Sequence, residues 1–401
     1  MTITEAAVTS DEQRVIDLVD DLLASFPPKQ TEPKVFLGQQ FDRGLAWVHF
    51  PEGHGGLELS PKLQKTINER IFGAGGPNPY GRNPIGYGMC GPTVVVWGSD
   101  EQKKRYLRPL FTGEEIWCQL FSEPGAGSDF AGLSSRGVRD GDEWIVNGQK
   151  VWTTLAHVSK WGLLVVRTDP DVPKHAGLTA FVVDMHAPGV ETRPLRQMTG
   201  EAEFNEVYFT DARIPDDERL GNPGDGWRVS LTTLMNERVS IGGTIVPQGS
   251  GPIAEAMRIW KSLPAERKDA ATRDELMKLW IEAEVLRLTN IRAGQNRKIG
   301  VPGPEGSTGK LAYAEGNKKI YDFCVSLLGA DGMLYSTYEM QRPETAMFSD
   351  SVQKAFLRAR ANSIEGGTSE VMRNILGERV LGLPGDVRVD REVAWKDVPR
   401  N

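Results

Sequence analysis

Between Trp117 and about Leu220 the chain changes texture, and that change constrains its fold more than any other feature of its 401 residues. From Ser10 to about Gly113, apolar residues recur at helical spacing, as in Val15, Leu18, Val19, Leu22 and Leu23, with Gly/Pro-rich turns at Pro51 to Gly56 and Gly73 to Pro79. In the central stretch they give way to short β-rich runs, Glu143 to Val146, Trp161 to Arg167, Leu178 to Val183 and Glu206 to Phe209, each bounded by Gly, Asp or Pro. From Trp227 onward long amphipathic segments return: Val229 to Gly242, Pro252 to Leu263, Thr272 to Ala293, Ser307 to Leu328 and Ser351 to Gly382. Helices, then strands, then helices imply segregated layers rather than alternating βαβ units. The expected class is α+β, mainly α, with a helical domain over residues 1–115, a compact barrel or sandwich over 116–225 and an antiparallel helical bundle over 226–401. No internal repeat or low-complexity linker interrupts this order.

A chain that is 39% hydrophobic and 25% charged has enough apolar surface for packed cores. Its net charge of -7, with acids and bases interspersed, gives no attraction to phosphate backbones, so nucleic acid is not expected as a partner. Met1 to Asp11 lacks the basic start and apolar stretch of a secretory signal, and no run of about eighteen apolar residues occurs, so a cytoplasmic chain without membrane association is expected. Cys90, Cys118 and Cys324 are odd in number and free of C-x-x-C pairing, which speaks against a disulfide framework or zinc site and for buried free thiols. His49, His54, His157, His175 and His186 show no metal-binding spacing, so no metal is expected.

Chemistry concentrates in Trp117-Cys-Gln-Leu-Phe-Ser122-Glu-Pro-Gly-Ala-Gly-Ser-Asp129, where hydroxyls and glycines follow a β-run. Such a loop can bring backbone N–H groups and serines close to a flat polar ligand, although by composition alone it also reads as a surface turn. It is not a dinucleotide fingerprint, because Phe130 stands where the third glycine belongs and no βαβ unit follows. Gly303-Pro-Glu-Gly-Ser-Thr-Gly309-Lys310 is not a phosphate loop either: its glycine spacing is one residue too long, and Leu311 replaces the hydroxyl that would hold magnesium.

Ser122-Glu-Pro-Gly-Ala-Gly-Ser-Asp129, followed by Asn147-Gly-Gln-Lys-Val-Trp152-Thr-Thr154, closely resembles the paired signature of the acyl-CoA dehydrogenase family. The resemblance extends to Glu101-Gln-Lys-Lys-Arg-Tyr-Leu107 and Gly367-Thr-Ser-Glu-Val-Met-Arg-Asn374, and so spans nearly the whole chain. It implies a helical domain, a β-barrel and a four-helix bundle, with FAD as cofactor and an acyl-CoA as substrate. Carried over, it assigns Phe121 and Ser122 to the flavin's pyrimidine edge and Trp152 and Thr154 to its ring face and N5 region. Ser128 would contact substrate or flavin, and Gly127 and Thr368 would complete the cofactor site. The implied reaction removes an α-proton from the thioester and a β-hydride to flavin, with electrons passing to a separate electron-transferring flavoprotein.

Two carboxylates compete for the base. The commoner family arrangement places a Glu two residues before the Thr of the Gly-Thr-Ser turn; here that position is Gly366, and Glu365 is one residue off, a rotation of about 100° at the start of a helix. The family's alternative arrangement places the Glu on the first bundle helix directly before an Arg, which Glu237-Arg238 matches, so Glu237 is preferred, with Arg238 on the CoA portion. Gly366 would leave room for a bulky or branched acyl group, and a nearby backbone N–H would bind the thioester oxygen. Two contacts that family members make across subunits are altered: Pro247-Gln-Gly-Ser-Gly-Pro-Ile253 stands where an Arg-x-x-Phe-Gly segment is common, and Ser326 stands where a Gln is usual. With Gly377-Glu-Arg-Val-Leu-Gly-Leu-Pro384, this resembles a bacterial subgroup, mycobacterial enzymes included, some of whose members are heterotetramers with half the usual flavin that act on CoA thioesters of sterol side chains or dicarboxylic acids. A homo- or hetero-oligomer is therefore expected. Two alternatives stay open: an acyl-CoA oxidase-type flavoenzyme, and a non-catalytic partner subunit of a heteromeric dehydrogenase.

Overall fold

The structure, a computed structural model, describes residues 10–242, 246–298, 305–345 and 351–399, with side chains left undescribed at 237–242, 297–298 and 305. The N-terminal helices are α1 (Ser10–Ser25), α2 (Pro33–Asp42), α3 (Leu63–Gly73), α4 (Gly91–Trp97) and α5 (Asp100–Thr112). Val15, Val19 and Leu22 of α1 bury one stripe against Ile67 and Ile71 of α3, the contact their helical spacing requires. A capping box at Ser99 and Gln102 starts α5, and Gly113 ends it at φ 71°, a left-handed backbone that suits glycine.

The strands are β1 (Trp117–Leu120), β2 (Arg136–Asp140), β3 (Glu143–Thr154), β4 (Trp161–Arg167), β5 (Leu178–Asp184), β6 (Val190–Pro194), β7 (Phe204–Pro215) and β8 (Arg219–Leu220). They make one eight-stranded sheet in the order β6-β7-β3-β2-β4-β5-β8, with β1 parallel to β4. The near-continuous apolar runs of β4 and β5 follow from burial on both faces. Leu163, Val165, Ala180 and Val182 join the core shared with the N-terminal helices, whereas Leu164, Val166, Phe181 and Val183 face the second core beneath β3 and β7.

The C-terminal helices are α6 (Gly226–Gly242), α7 (Pro252–Ser262), α8 (Ala270–Lys298), α9 (Glu305–Leu328), α10 (Val352–Ala359) and α11 (Ser369–Arg379). Ile253, Ile259, Leu276, Leu279, Phe323 and Leu327 bind α7, α8 and α9 together. Helix α6 is seated on α4: the Thr93 and Thr233 hydroxyls share a 2.8 Å hydrogen bond, and the Trp97 indole donates to Thr232 Oγ1 at 2.9 Å. The amphipathic segment read from Ser351 to Gly382 consists of two helices, α10 and α11, joined through the Gly-Thr-Ser turn. Gly366 and Gly367 take φ of 63° and 95° between them, a conformation that a continuous right-handed helix cannot contain. All three cysteines are free and buried. Among the described residues no helix is long and apolar enough to cross a membrane, and no cluster of His, Cys, Asp or Glu could hold a metal ion.

Candidate active site

The two signature segments, Ser122–Asp129 and Asn147–Thr154, lie side by side. The Val151 amide donates to the Ser122 carbonyl at 2.9 Å. Lys150, fully buried, donates to the Phe121 carbonyl at 3.1 Å and to Glu123 Oε1 at 2.8 Å. Burial alone would raise the Glu123 carboxyl, but the Lys150 charge and the Ser134 and Ser135 donors hold it down at about 2. Burial in turn pushes the Lys150 ammonium below its ordinary range. Lys150 and Glu123 thus clamp the Ser122 loop to the end of β3.

At that end the register between β3 and β7 slips between Lys150 and Thr153. Such a bulge re-aims a side chain, and here Trp152 takes a left-handed φ of 60° and stands 56% exposed. Its indole meets the Phe204 ring edge-on at 5.8 Å. Next to it the buried Thr153 Oγ1 has no hydrogen-bond partner, and Thr154 pairs with Phe204 in the ladder. Phe121 is buried in a stack with Phe130, which stacks in turn on Trp227 at the start of α6.

Gly127 and Ser128 are exposed, and a methyl added at Gly125 or Gly127 would meet nothing within 4 Å. Their loop is anchored at Asp129, which accepts from Lys174 at 2.9 and 3.0 Å, while Lys174 also reaches Asp390 of the C-terminal segment at 2.5 Å. Burial opposes the Lys174 charge, but the two aspartates outweigh it and raise its pKa. An exposed indole held in a strained backbone beside an open glycine loop suits a flat, partly polar ring better than it suits solvent.

On the bundle side, Thr368 caps α11, its hydroxyl oxygen accepting from the Val371 amide at 3.1 Å. Gly366 precedes it in the left-handed turn. Glu365 is already engaged: Arg358 donates to its two oxygens at 3.1 and 2.8 Å, and Asn362 Nδ2 donates to Oε1 at 2.8 Å. Positions 237 and 238 fall within α6, but the Glu237 and Arg238 side chains lie outside the described residues. Sequence reasoning missed the Lys150–Glu123 clamp, Phe204 and Arg358. Lys150 carried the one available signal, as a charged residue on the inward phase of a β-run.

Three family descriptions match in succession: acyl-CoA dehydrogenase N-terminal domain over residues 17–114, middle domain over 118–212 and C-terminal domain over 224–381. The acyl-CoA dehydrogenase IpdE1 of Mycobacterium tuberculosis is 37% identical over 349 residues, covering 86% of this chain and 86% of that protein. FadE34 of the same organism is 36% identical over 345 residues, 86% of this chain but 45% of its own length. Among solved structures, the ChsE4-ChsE5 complex from Mycobacterium tuberculosis superposes with a TM-score of 0.69 at 26% identity, covering 96% of this chain and 100% of that one. An acyl-CoA dehydrogenase from Geobacillus kaustophilus, at 23% identity and a TM-score of 0.70, covering 94% of this chain and 100% of its own, shares the fold. With the signature segments joined at one strand end and all three domain types matched in order, the chain belongs to the acyl-CoA dehydrogenase family and resembles its mycobacterial members.

Proposed function

We propose that this acyl-CoA dehydrogenase holds FAD against the strand end Trp152–Thr154 and the Ser122 loop, and that Glu237 takes the α-proton of the bound thioester. The observation that carries the reading is the β3 bulge, which presents an indole and a threonine beside the Ser122 loop at one open edge. Bound there, the flavin supplies the acceptor for the β-hydride. The chain does the rest. Trp152 covers an apolar ring face and keeps water away, while Ser122 and Thr154 offer hydroxyls to its polar edge. The turn at Gly366 and Gly367 offers backbone N–H groups to the thioester oxygen, which acidifies the α-carbon. Glu237 then accepts that proton as the general base. Glu365, with both oxygens engaged, is not free to do so.

Replacing Thr154 with Val tests the cofactor side. The loss of one neutral hydrogen bond near N5, on the order of 1 kcal/mol, is expected to lower flavin retention about fivefold or slow its reduction comparably. Unchanged flavin absorbance and an unchanged reduction rate would remove Thr154 from the site.

Electrons are proposed to leave to a separate electron-transferring flavoprotein. Dye reduction without oxygen consumption supports this, and the reverse result favours an oxidase. The substrate is proposed to be a CoA thioester with a bulky or branched acyl group, sterol side-chain acids included, since Gly366 puts no side chain where the commoner arrangement puts a Glu. A panel of CoA thioesters decides the acyl class.

An oligomer with flavin at its interfaces is supported by α8, where Met277, Ile281, Val285 and Leu288 form an exposed apolar stripe at helical spacing. In the heteromeric version, a second dehydrogenase chain co-purifies and the complex carries about half a flavin per chain, as one complete site per unlike pair requires. A tetramer of this chain alone with one flavin per protomer would exclude that version.

A further inference from the structure

Arg358 on α10 joins two parts of the molecule that the reaction must keep in register. Its side chain is 14% exposed, and it grips both oxygens of Glu365 at 3.1 and 2.8 Å. On its other side Nε stands 3.6 Å from Glu203 Oε1, whose side chain is 3% exposed, and the guanidinium lies 5.8 Å from the centre of the Phe204 ring. Burial opposes the Arg358 charge, but Glu365 and Glu203 more than offset it and its pKa is raised.

Those two carboxylates belong to different layers. Glu203 accepts the Leu155 amide at its carbonyl, 2.8 Å away, directly after Thr154, and it precedes Phe204, whose ring abuts Trp152. Glu365 precedes the left-handed pair Gly366 and Gly367. The remaining ties on this turn come from within the bundle. Lys310 of α9, 1% exposed, donates to the Asn362 carbonyl at 2.9 Å and to the Gly367 carbonyl, and Asn317 Nδ2 donates to Asn362 Oδ1 at 3.2 Å. Of these contacts, that of Arg358 reaches across to the middle sheet, two residues beyond Glu201, to which Lys354 of the same helix is paired at 2.6 Å. A buried ion pair adds little net stability over apolar residues of equal volume, but a bidentate guanidinium fixes direction as well as distance.

We propose that Arg358 is a positioning residue that holds the Gly366–Gly367 turn, with its amides for the thioester oxygen, in register with the Trp152–Thr154 strand end. This rests on the site reading above and deepens it. It also accounts for Glu365, which serves as the handle by which the turn is held. Displacement of reacting groups by about 1 Å costs on the order of a hundredfold in rate, so the effect of loosening this tie is large.

The test compares Arg358→Gln and Arg358→Lys in three measurements: amide hydrogen exchange over residues 362–368 of the flavin-free protein, flavin reduction per bound flavin in a single turnover, and acyl-CoA affinity. Arg358→Gln is expected to speed exchange about tenfold and slow reduction about a hundredfold, with a smaller change in affinity. Arg358→Lys restores part of both, since an ammonium cannot grip a carboxylate with a fork. A role confined to stability would lower the melting temperature and flavin content but leave the rate per bound flavin unchanged. Should Arg358→Gln be insoluble, Glu203→Gln cuts the same tie from the other side and is expected to act in the same direction. Wild-type exchange and wild-type rate per flavin in the soluble variants would overturn the proposal. Exchange over 362–368 does not depend on the identity of the base, so Glu237→Gln leaves it unchanged. A wrong base and a wrong clamp therefore give different results.

Discussion

Replacing Glu237 with Gln is expected to abolish flavin reduction by acyl-CoA, by several orders of magnitude as for loss of an essential base, while leaving bound flavin and ligand affinity nearly unchanged. Gln keeps the size and polarity of the side chain but cannot accept the proton. Glu365→Gln provides the internal comparison. An amide has one acceptor oxygen where the carboxylate has two, so the Arg358 fork at 3.1 and 2.8 Å is broken, the turn loosens as in Arg358→Gln, and reduction is expected to fall about a hundredfold, less than in Glu237→Gln. The measurement is anaerobic bleaching of the flavin in a single turnover, normalised to flavin content. Loss of reduction in Glu365→Gln with near wild-type behaviour in Glu237→Gln would reverse the assignment.

Lys150→Met is expected to be among the most destabilising single changes in the middle sheet, by about 3 to 5 kcal/mol, because it leaves the buried Glu123 without its counter-charge. It also removes the donor to the Phe121 carbonyl, so flavin retention should fall with stability. The pH dependence has a definite sign. In the native protein Glu123 titrates at about 2 against an ordinary 4.5, a depressed value. Its contribution is therefore fully present above the ordinary value and is lost as pH falls through the folded value. In Lys150→Met the attraction that lowered it is gone and burial raises it, so protonation relieves the variant. Its deficit relative to wild type should be smaller at about pH 4 than at about pH 7 in chemical denaturation. A deficit below about 1 kcal/mol at both pH values would show that the clamp is not what holds the Ser122 loop.

Much of this molecule was legible before any coordinate, and for a local reason. The α+β class and the order of helices, strands and helices follow from periodicity, which acts over a few residues: Val15, Val19 and Leu22 describe a helix stripe by themselves, and the unbroken apolar run of Trp161–Arg167 implies a strand covered on both faces. The two signature segments were equally visible, because Gly, Ser and Trp at fixed spacing carry their chemistry in their order. What the sequence could not disclose depends on which distant groups meet. Lys150 is one charged residue among many until the fold buries it against Glu123, and Arg358 reads as a solvated helix residue until it is placed between Glu203 and Glu365. The Gly-Thr-Ser turn between α10 and α11 was legible in order, but the ties from Lys310 and Arg358 that hold Gly366 and Gly367 in it were not. Local patterning thus determined the elements and their order. What only the tertiary structure decided is where charge is buried, Lys150 against Glu123 and Arg358 between Glu203 and Glu365, because the free energy of such pairs comes from burial that no local pattern encodes.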